Sequence, residues 1–555
     1  AARRALRLAG RSTGVVGAAA LASGAALWAG DRDAFDSAMR MRRTASLAAR
    51  LLADYSWHLR GLPEQSAARE EALQACHARG APLLRELCFR NGGVYIKIGQ
   101  LVGLMDHVLP EEYIEALAGC FDSCPCSPPE DVEAVFLEDL GCRPSDVFES
   151  FDAEPIASAS LAQVHRATLP GGVSLAVKVQ HRPLRRVARA EIAGIDLVLR
   201  MVRRVEPAFG FEWLVEEVKD NLPKELDFRL EIQNAARCRK ILEEGALGGA
   251  IVVPRTHDEL SSARVLVMDF EEGRSLSSTA ETMRAEGVQA RAVVQRFAEA
   301  YAEMTFAHGF LHCDPHPGNV LWRPRRGAPG GFQLVLLDHG LYRELPSALR
   351  LAYCRLWHAI AVGDGAAALR ATRALGVRSE WLAQKLAAER EDDAGRAAAA
   401  LDPSDDAEAL AGKLFAAMLT ARSFRSLADG RGGLLRLDAS YRGRSAEEER
   451  QEIAKHVAGY FRGMLEILDT LPRSMILVMK ANDCLRAVAS RFGVPPSVPL
   501  ATSCRACCRA LRAAGDPDAG GWRGRWLMAR CWLFLALEGT VLSRLRSLRR
   551  MLAGA

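Results

Sequence analysis

Lysine is nearly absent from this chain. Of 73 basic residues only nine are Lys (97, 178, 219, 224, 240, 385, 413, 455 and 480), and the other 64 are Arg. A Lys inside a motif therefore stands out. Net charge is small, +5 over 555 residues, too slight an excess to draw the chain to nucleic acid. Zinc-type spacing is also missing from the 14 cysteines. Cys120-x-x-x-Cys124-x-Cys126 and Cys504-x-x-Cys507-Cys508 are the only clusters, and neither has a matching pair. They read as free thiols of a reducing compartment. Acid is lacking at the start: residues 1–12 carry Arg3, Arg4, Arg7 and Arg11, and the first acid is Asp31, the composition of a mitochondrial transit peptide. Charge of either sign is lacking from Thr13 to Gly30. At about 1.5 Å per residue that run reaches roughly 27 Å, close to a hydrocarbon core of about 30 Å. Its small residues suit helix packing in a membrane. The expectation is a mitochondrial, inner-membrane-associated, single-pass protein, with a targeting segment, cleaved or not, as the alternative.

What is present is a chain long enough for two or three core-forming units, with ordinary charged and apolar fractions. Its organising stretch runs from Leu311 to Leu341. His312-Cys313-Asp314 and Asn319 fit an H-x-D-x-x-x-x-N catalytic loop, and Asp338-His339-Gly340 stands where kinases carry D-F-G. Asp314 would accept a hydroxyl proton or orient a water. Asn319, five residues on, would hold metal. The apolar run Leu334–Leu337 reads as a buried strand delivering Asp338, a second metal ligand. The spacer Arg323–Gly331, rich in Pro and Gly, reads as a hairpin turn.

Upstream, residues 151–180 read as strands, with Gly171-Gly172 as a hairpin turn and Ala176-Val177-Lys178 on the return strand. Such a Lys pairs the phosphates of a nucleotide and a Glu on a helix. Lys224-Glu225-Leu226-Asp227-Phe228-Arg229-Leu230-Glu231 offers two Glu. Glu225 and Glu231 lie six residues apart and share no helix face, so each needs its own partner. Lys97 and Lys178 are the candidates, against solvated surface Glu as the bland alternative. Val252–Pro254 and Arg264–Phe270 read as further strands, and Glu271-Glu272-Gly273 as a hinge. The chain after Gly340 is almost wholly helical, with Glu389–Glu408 an exposed linker. Trp526–Leu542, followed by Arg544, Arg546, Arg549 and Arg550, reads equally as an interfacial helix or a packed terminal helix.

Together these motifs resemble the aarF-domain-containing, UbiB-like atypical kinases. Lys97-Ile98-Gly99-Gln100 is similar to the family's K-x-G-Q, Ala157–Ser160 to its Ala-rich nucleotide loop, and Glu225-Leu226-Asp227 to its E-x-D. His312 to Asn319 and Asp338 complete the set, and the match runs from about residue 85 to 345. Asp338-His339-Gly340 and the segment 471–483 resemble a mitochondrial subgroup near aarF-domain kinases one and five, more the latter.

The resemblance implies an α+β, two-lobed, protein-kinase-like fold. Residues 1–30 would be a targeting or transmembrane segment and 31–145 a helical extension. Residues 146–270 would form a β-rich N-lobe, 271–500 a helical C-lobe and 501–555 a basic, apolar tail. It implies ATP or ADP and Mg²⁺ as cofactors. Nucleotide would be bound by Ala157, Ser158, Ala159, Ser160, Lys178, Glu231 and Met268, with Asp314 and Lys178 catalytic. Asn319 and Asp338 would hold metal. Lys97 and Gln100, with Glu225 and Asp227, would close the site where a protein kinase receives its peptide. The implied partner is a membrane lipid or isoprenoid-like ligand, and the implied activity an ATPase or lipid-directed phosphotransferase linked to coenzyme Q or lipid homeostasis. A nucleotide-binding scaffold without turnover, or a Ser/Thr protein kinase, are the alternatives. The sequence departs from kinase patterns in three places. The nucleotide loop is Ala-Ser-Ala-Ser, His339 replaces Phe, and His316 replaces the Lys that protein kinases carry two residues after the catalytic Asp.

Overall fold

A computed structural model describes residues 32–63, 66–103, 110–122, 124–205, 212–384, 407–420, 463–464, 466–495 and 497–537. The chain divides into two compact units, residues 1–233 with 255–271, and 234–254 with 272–555.

The first unit opens with three helices, α1 (Arg32–His58), α2 (Ala67–Asn91) and α3 (Gly93–Gly103). Ser66 caps α2 by accepting from the Arg69 N–H. Gly92 and Gly93, at φ 67° and 47°, end α2 and start α3. The φ of Gly93 favours glycine there, and a Cβ would in addition meet the Leu184 Cδ2 methyl at 2.5 Å. An antiparallel sheet follows, in the order β1 (Ser150–Phe151), β3 (Ala162–Thr168), β4 (Ser174–Gln180) and β6 (Val265–Asp269), with β2 (Ala157–Ser158) also on β3. The Gly-Gly turn holds the β3–β4 register, Thr168 opposite Ser174. Alternation along β4 buries Leu175, Val177 and Val179 against Val132, Val135 and Phe136, and turns Ala176 and Lys178 to the other face. Helix α4 (Leu184–Val205) has a strongly one-sided apolar face and packs on α1.

The second unit carries the sheet β5 (Ile251–Val252), β10 (Phe332–Leu336), β9 (Val320–Pro324) and β7 (Arg274–Ser275), in that order, and a separate pair, β8 (Phe310–His312) with β11 (Tyr342–Glu344). Trp322, Phe332, Phe297, Tyr353 and Trp357 are fully buried at its centre. Helices Ala290–Ala302, Ser347–Val362, Arg473–Arg491 and Ser497–Ala513 surround them.

The single-pass membrane expectation is overturned. Among the described residues no helix is long and apolar enough to cross a membrane. The most apolar terminal helix, Trp522–Leu537, has 16 residues, about 24 Å at 1.5 Å per residue, and is interrupted by Arg525 and Arg530. It packs inward through Leu527 and Cys531. Residues 13–30, which carried the expectation, lie outside the described residues, as do 389–406 of the expected linker. Ala407 and Glu408 begin a helix instead.

Candidate active site

The second unit assembles the expected catalytic loop. Strands β9 and β10 pair from Val320↔Leu336 to Pro324↔Phe332, and the spacer between them turns on Gly327, Gly330 and Gly331, all at positive φ. The register continues past the strand ends, where the Leu337 N–H donates to the Asn319 carbonyl at 2.9 Å. Asn319 and Asp338 are thereby brought side by side at the open end of the hairpin. His312 joins the rest. Its Nε2–H donates to the Asp338 carbonyl at 2.8 Å, and its Nδ1 accepts from the Asp314 N–H at 3.1 Å. Those two bonds require the neutral imidazole with the proton on Nε2. Burial depresses the His312 pKa in the same direction, with the Asp338 charge opposing. One ring thus fixes both aspartate backbones. The Asp338 carboxylate also accepts from the Gly340 N–H at 2.9 Å.

His339, where kinases carry Phe, is buried and held at both ring nitrogens. Nε2–H donates to the Leu336 carbonyl at 3.1 Å, and Nδ1 accepts from the Tyr342 hydroxyl at 2.9 Å. Its ring stacks on Tyr342, and Asn234 donates to its carbonyl at 3.0 Å. A Phe could make neither polar contact, so this D-H-G triplet is pinned rather than held by packing alone.

His316 accepts the Gly318 N–H on Nδ1 at 3.1 Å and so caps the turn Pro317–Asn319. The carboxylate of Asp314 meets Lys480 Nζ at 3.2 Å. Sequence reasoning assigned Lys480 no role. The signals available were that it is one of the nine Lys and that it lies in the 471–483 segment that carried part of the resemblance.

The first unit holds the residues expected to bind nucleotide. Lys178 on β4 donates to both Glu231 oxygens, at 2.8 and 3.0 Å, with its ammonium over the Phe228 ring. Glu231 is 3% exposed, so the pair lies in a low-dielectric environment. Met268 lies beside it in the cluster of Ala162, Phe228, Ile232 and Leu266. Lys97 pairs with Glu225 at 2.6 Å. The expected second partner, Asp227, is engaged elsewhere. Its carboxylate caps the helix Phe228–Leu242 by accepting from the Arg229 N–H, and takes the Arg229 guanidinium at 2.7 Å. That guanidinium holds the Asp227 pKa below its ordinary value. The chain breaks between the helix Glu212–Glu225 and the helix Phe228–Leu242. The break turns the two carboxylates of E-x-D to different partners.

The K-x-G-Q helix also reaches the nucleotide loop. Ser160 Oγ donates to Gln100 Oε1 at 3.4 Å, and the Gln100 amide donates to the Cys120 carbonyl at 3.0 Å. Ser158 donates to the Pro125 carbonyl at 2.9 Å. His181 donates from Nε2 to the Ala159 carbonyl and accepts from Ser127. Ala159, Ser160, His181, Arg40, Asn91 and Gly93 share a recess of about 150 Å³. Gly99 sits where α3 passes two thiols: a Cβ there would lie 2.9 Å from Cys120 Sγ and 3.2 Å from Cys88 Sγ.

A family model for the ABC1 atypical kinase-like domain matches residues 119–372. AarF domain-containing protein kinase 1 of Xenopus tropicalis is 36% identical over 85% of this chain and 82% of its own length. The chain belongs to the ABC1/AarF atypical kinase family. The AarF domain-containing protein kinase 1 of Gallus gallus is likewise 36% identical, over 91% of this chain and 88% of its own. Both relatives are numbered one, and the nearer resemblance to member five is not carried by them. Among solved structures, the erythromycin complex of Rv3197 from Mycobacterium tuberculosis is 19% identical with a TM-score of 0.40, over 76% of this chain and 97% of that one. As a member of this family, the chain is an atypical kinase-like ATP-binding protein.

Proposed function

We propose that the chain binds Mg-ATP and transfers its γ-phosphoryl group to water or to a small or isoprenoid-lipid-like acceptor, within coenzyme Q or other lipid homeostasis. The observation that carries the transfer chemistry is the two-sided hydrogen bonding of His312, which fixes Asp314 and Asp338 relative to each other. In the reaction, the bond between the γ-phosphorus and its bridging oxygen breaks and ADP leaves with that electron pair. The acceptor oxygen bonds to phosphorus, and its proton passes to the Asp314 carboxylate. Lys178, oriented by Glu231, is the residue that would bind the α- and β-phosphates, with the Ala157–Ser160 loop as the other nucleotide-binding element of the first unit.

Asn319 and Asp338 offer hard oxygen donors at neighbouring positions of one hairpin, the donor set that suits Mg²⁺. When bound there, the ion offsets phosphate charge. A non-protein acceptor is supported by the K-x-G-Q helix, whose Gln100 and Lys97 tie the extension to the Ser160 loop and to Glu225.

The test is ATP turnover by the full chain with Mg²⁺, with Asp338→Asn beside it. The wild type should release phosphate, and Asp338→Asn should weaken Mg-ATP binding in calorimetry by about tenfold or more, the size of a lost charge-assisted contact. No phosphate release by the wild type, with lipid vesicles or without them, would reject the transfer reading. Unchanged Mg-ATP affinity in Asp338→Asn would reject the metal assignment.

A further inference from the structure

We infer that Lys480 supplies, from a helix far along the chain, the ammonium that a protein kinase carries on its catalytic loop two residues after the catalytic Asp. In that role it positions Asp314 and binds the γ-phosphate. The inference rests on the phosphoryl-transfer reading and names the residue that holds the transferred group.

Three observations carry it. First, the loop position itself is occupied by a group with a different task. His316 must accept on Nδ1 to cap the Pro317–Asn319 turn, and an ammonium has no lone pair with which to accept that N–H. Second, Lys480 Nζ lies 3.2 Å from Asp314 Oδ1, with both side chains largely buried, 15% and 26% exposed. The helix Arg473–Arg491 that carries it is packed into the second unit. Met479 and Ala481 on either side are buried, and Asn482 donates to the Tyr353 hydroxyl at 2.6 Å. An ammonium presented from a packed helix is pre-organised in a way that a surface Lys is not.

Third, the residue is Lys in a chain that uses Arg for 64 of its 73 basic positions. Two other lysines of the nine also meet motif carboxylates, Lys97 with Glu225 and Lys178 with Glu231. An ammonium is a compact point charge with three donors. One donor holds Asp314, and the others are available to γ-phosphoryl oxygens beside it.

The test uses the full chain with Mg²⁺ and two probes, ADP and a non-hydrolysable triphosphate analogue, measured by calorimetry, together with ATP turnover. Lys480→Met should lower triphosphate affinity by about tenfold while leaving ADP affinity unchanged, the loss of one charge-assisted contact to the γ-phosphate. Turnover should fall by about a hundredfold, as when one electrostatic donor is removed from a transition state. Because Lys480→Met removes a cation from beside the Asp314 carboxylate, the double variant Asp314→Asn/Lys480→Met is measured alongside. It removes both members of the ion pair, should melt closer to the wild type than Lys480→Met does, and should still lack the triphosphate preference. Equal loss for both nucleotides, loss for neither, or a double variant that regains the preference would each overturn the assignment. A wild type that binds both nucleotides without turning over ATP defeats the transfer reading alone, and the preference still decides Lys480. A wild type that binds neither overturns both.

Discussion

The imidazole of His312 and the backbone carbonyl of Asp338 are 2.8 Å apart, and the same ring accepts the Asp314 N–H on its other side. Both aspartates therefore depend on one uncharged side chain. His312→Ala should remove one hydrogen bond from the part-buried Asp338 carbonyl and one from the Asp314 N–H, costing about 0.5–1.5 kcal/mol for each. Thermal melting and ATP turnover should both fall. Unchanged turnover in a variant with a lowered melting point would show that the bridge supports the fold but not the chemistry.

The same ring makes the protein acid-sensitive. Burial holds the His312 pKa below its ordinary value of 6.5, and it does the same for His165 and His181. Between 6.5 and the depressed values the unfolded chain binds more protons than the folded one. Stability is thus fully present above pH 6.5 and is lost as pH falls through that window. Denaturant midpoints taken at successive pH values should decline below about 6.5, and His312→Gln should flatten part of that decline. A midpoint that does not change from pH 7.5 to 5.5 would contradict the assignment of neutral, buried histidines.

Lys97 and Glu225 form a pair in which neither side chain is more than 14% exposed. Removing one partner leaves a charge behind and typically costs about 3–5 kcal/mol. Lys97→Ala should therefore be strongly destabilising and should speed amide exchange across residues 92–103. Adding Glu225→Gln should restore part of the loss. Asp227→Asn should show no coupling to Lys97→Ala, because its carboxylate belongs to Arg229. Strict additivity of Lys97→Ala with Glu225→Gln would mean that the pair does not form in solution.

Gly99→Ala tests the fit of the K-x-G-Q helix. The added methyl would meet the sulfurs of Cys120 and Cys88 inside ordinary contact distance. Overpacking of this kind costs about 1–3 kcal/mol. Gly99→Ala combined with Cys120→Ala should recover most of it, because the nearer obstacle is gone. No recovery would place the strain elsewhere.

The parts legible in the sequence are those written locally. The β9–β10 hairpin follows from an apolar run and a Gly/Pro spacer, and the β3–β4 hairpin from Gly171-Gly172. Glu225 and Glu231 required separate partners because of their spacing, and they have them. The parts that were not legible depend on distant chain segments or on one backbone break. Lys480 reaches Asp314 across 166 residues, and nothing in the spacing of either motif announces the pairing. Asp227 looked like a second partner for Lys97. A two-residue separation says nothing about direction, and the helix break at Leu226 turns Asp227 toward Arg229. His316 read as a missing lysine, whereas its capping bond to Gly318 is a matter of loop geometry.

The spacer between Pro324 and Phe332 has one more implication. Its backbone turns at exposed glycines, while the paired strands, not the turn, set the register that brings Asn319 beside Asp338. Loop-closure entropy grows only slowly with length. The tip near Arg326 is therefore a place to insert a fluorescent reporter or an affinity tag, with the chemistry one hairpin length away and undisturbed.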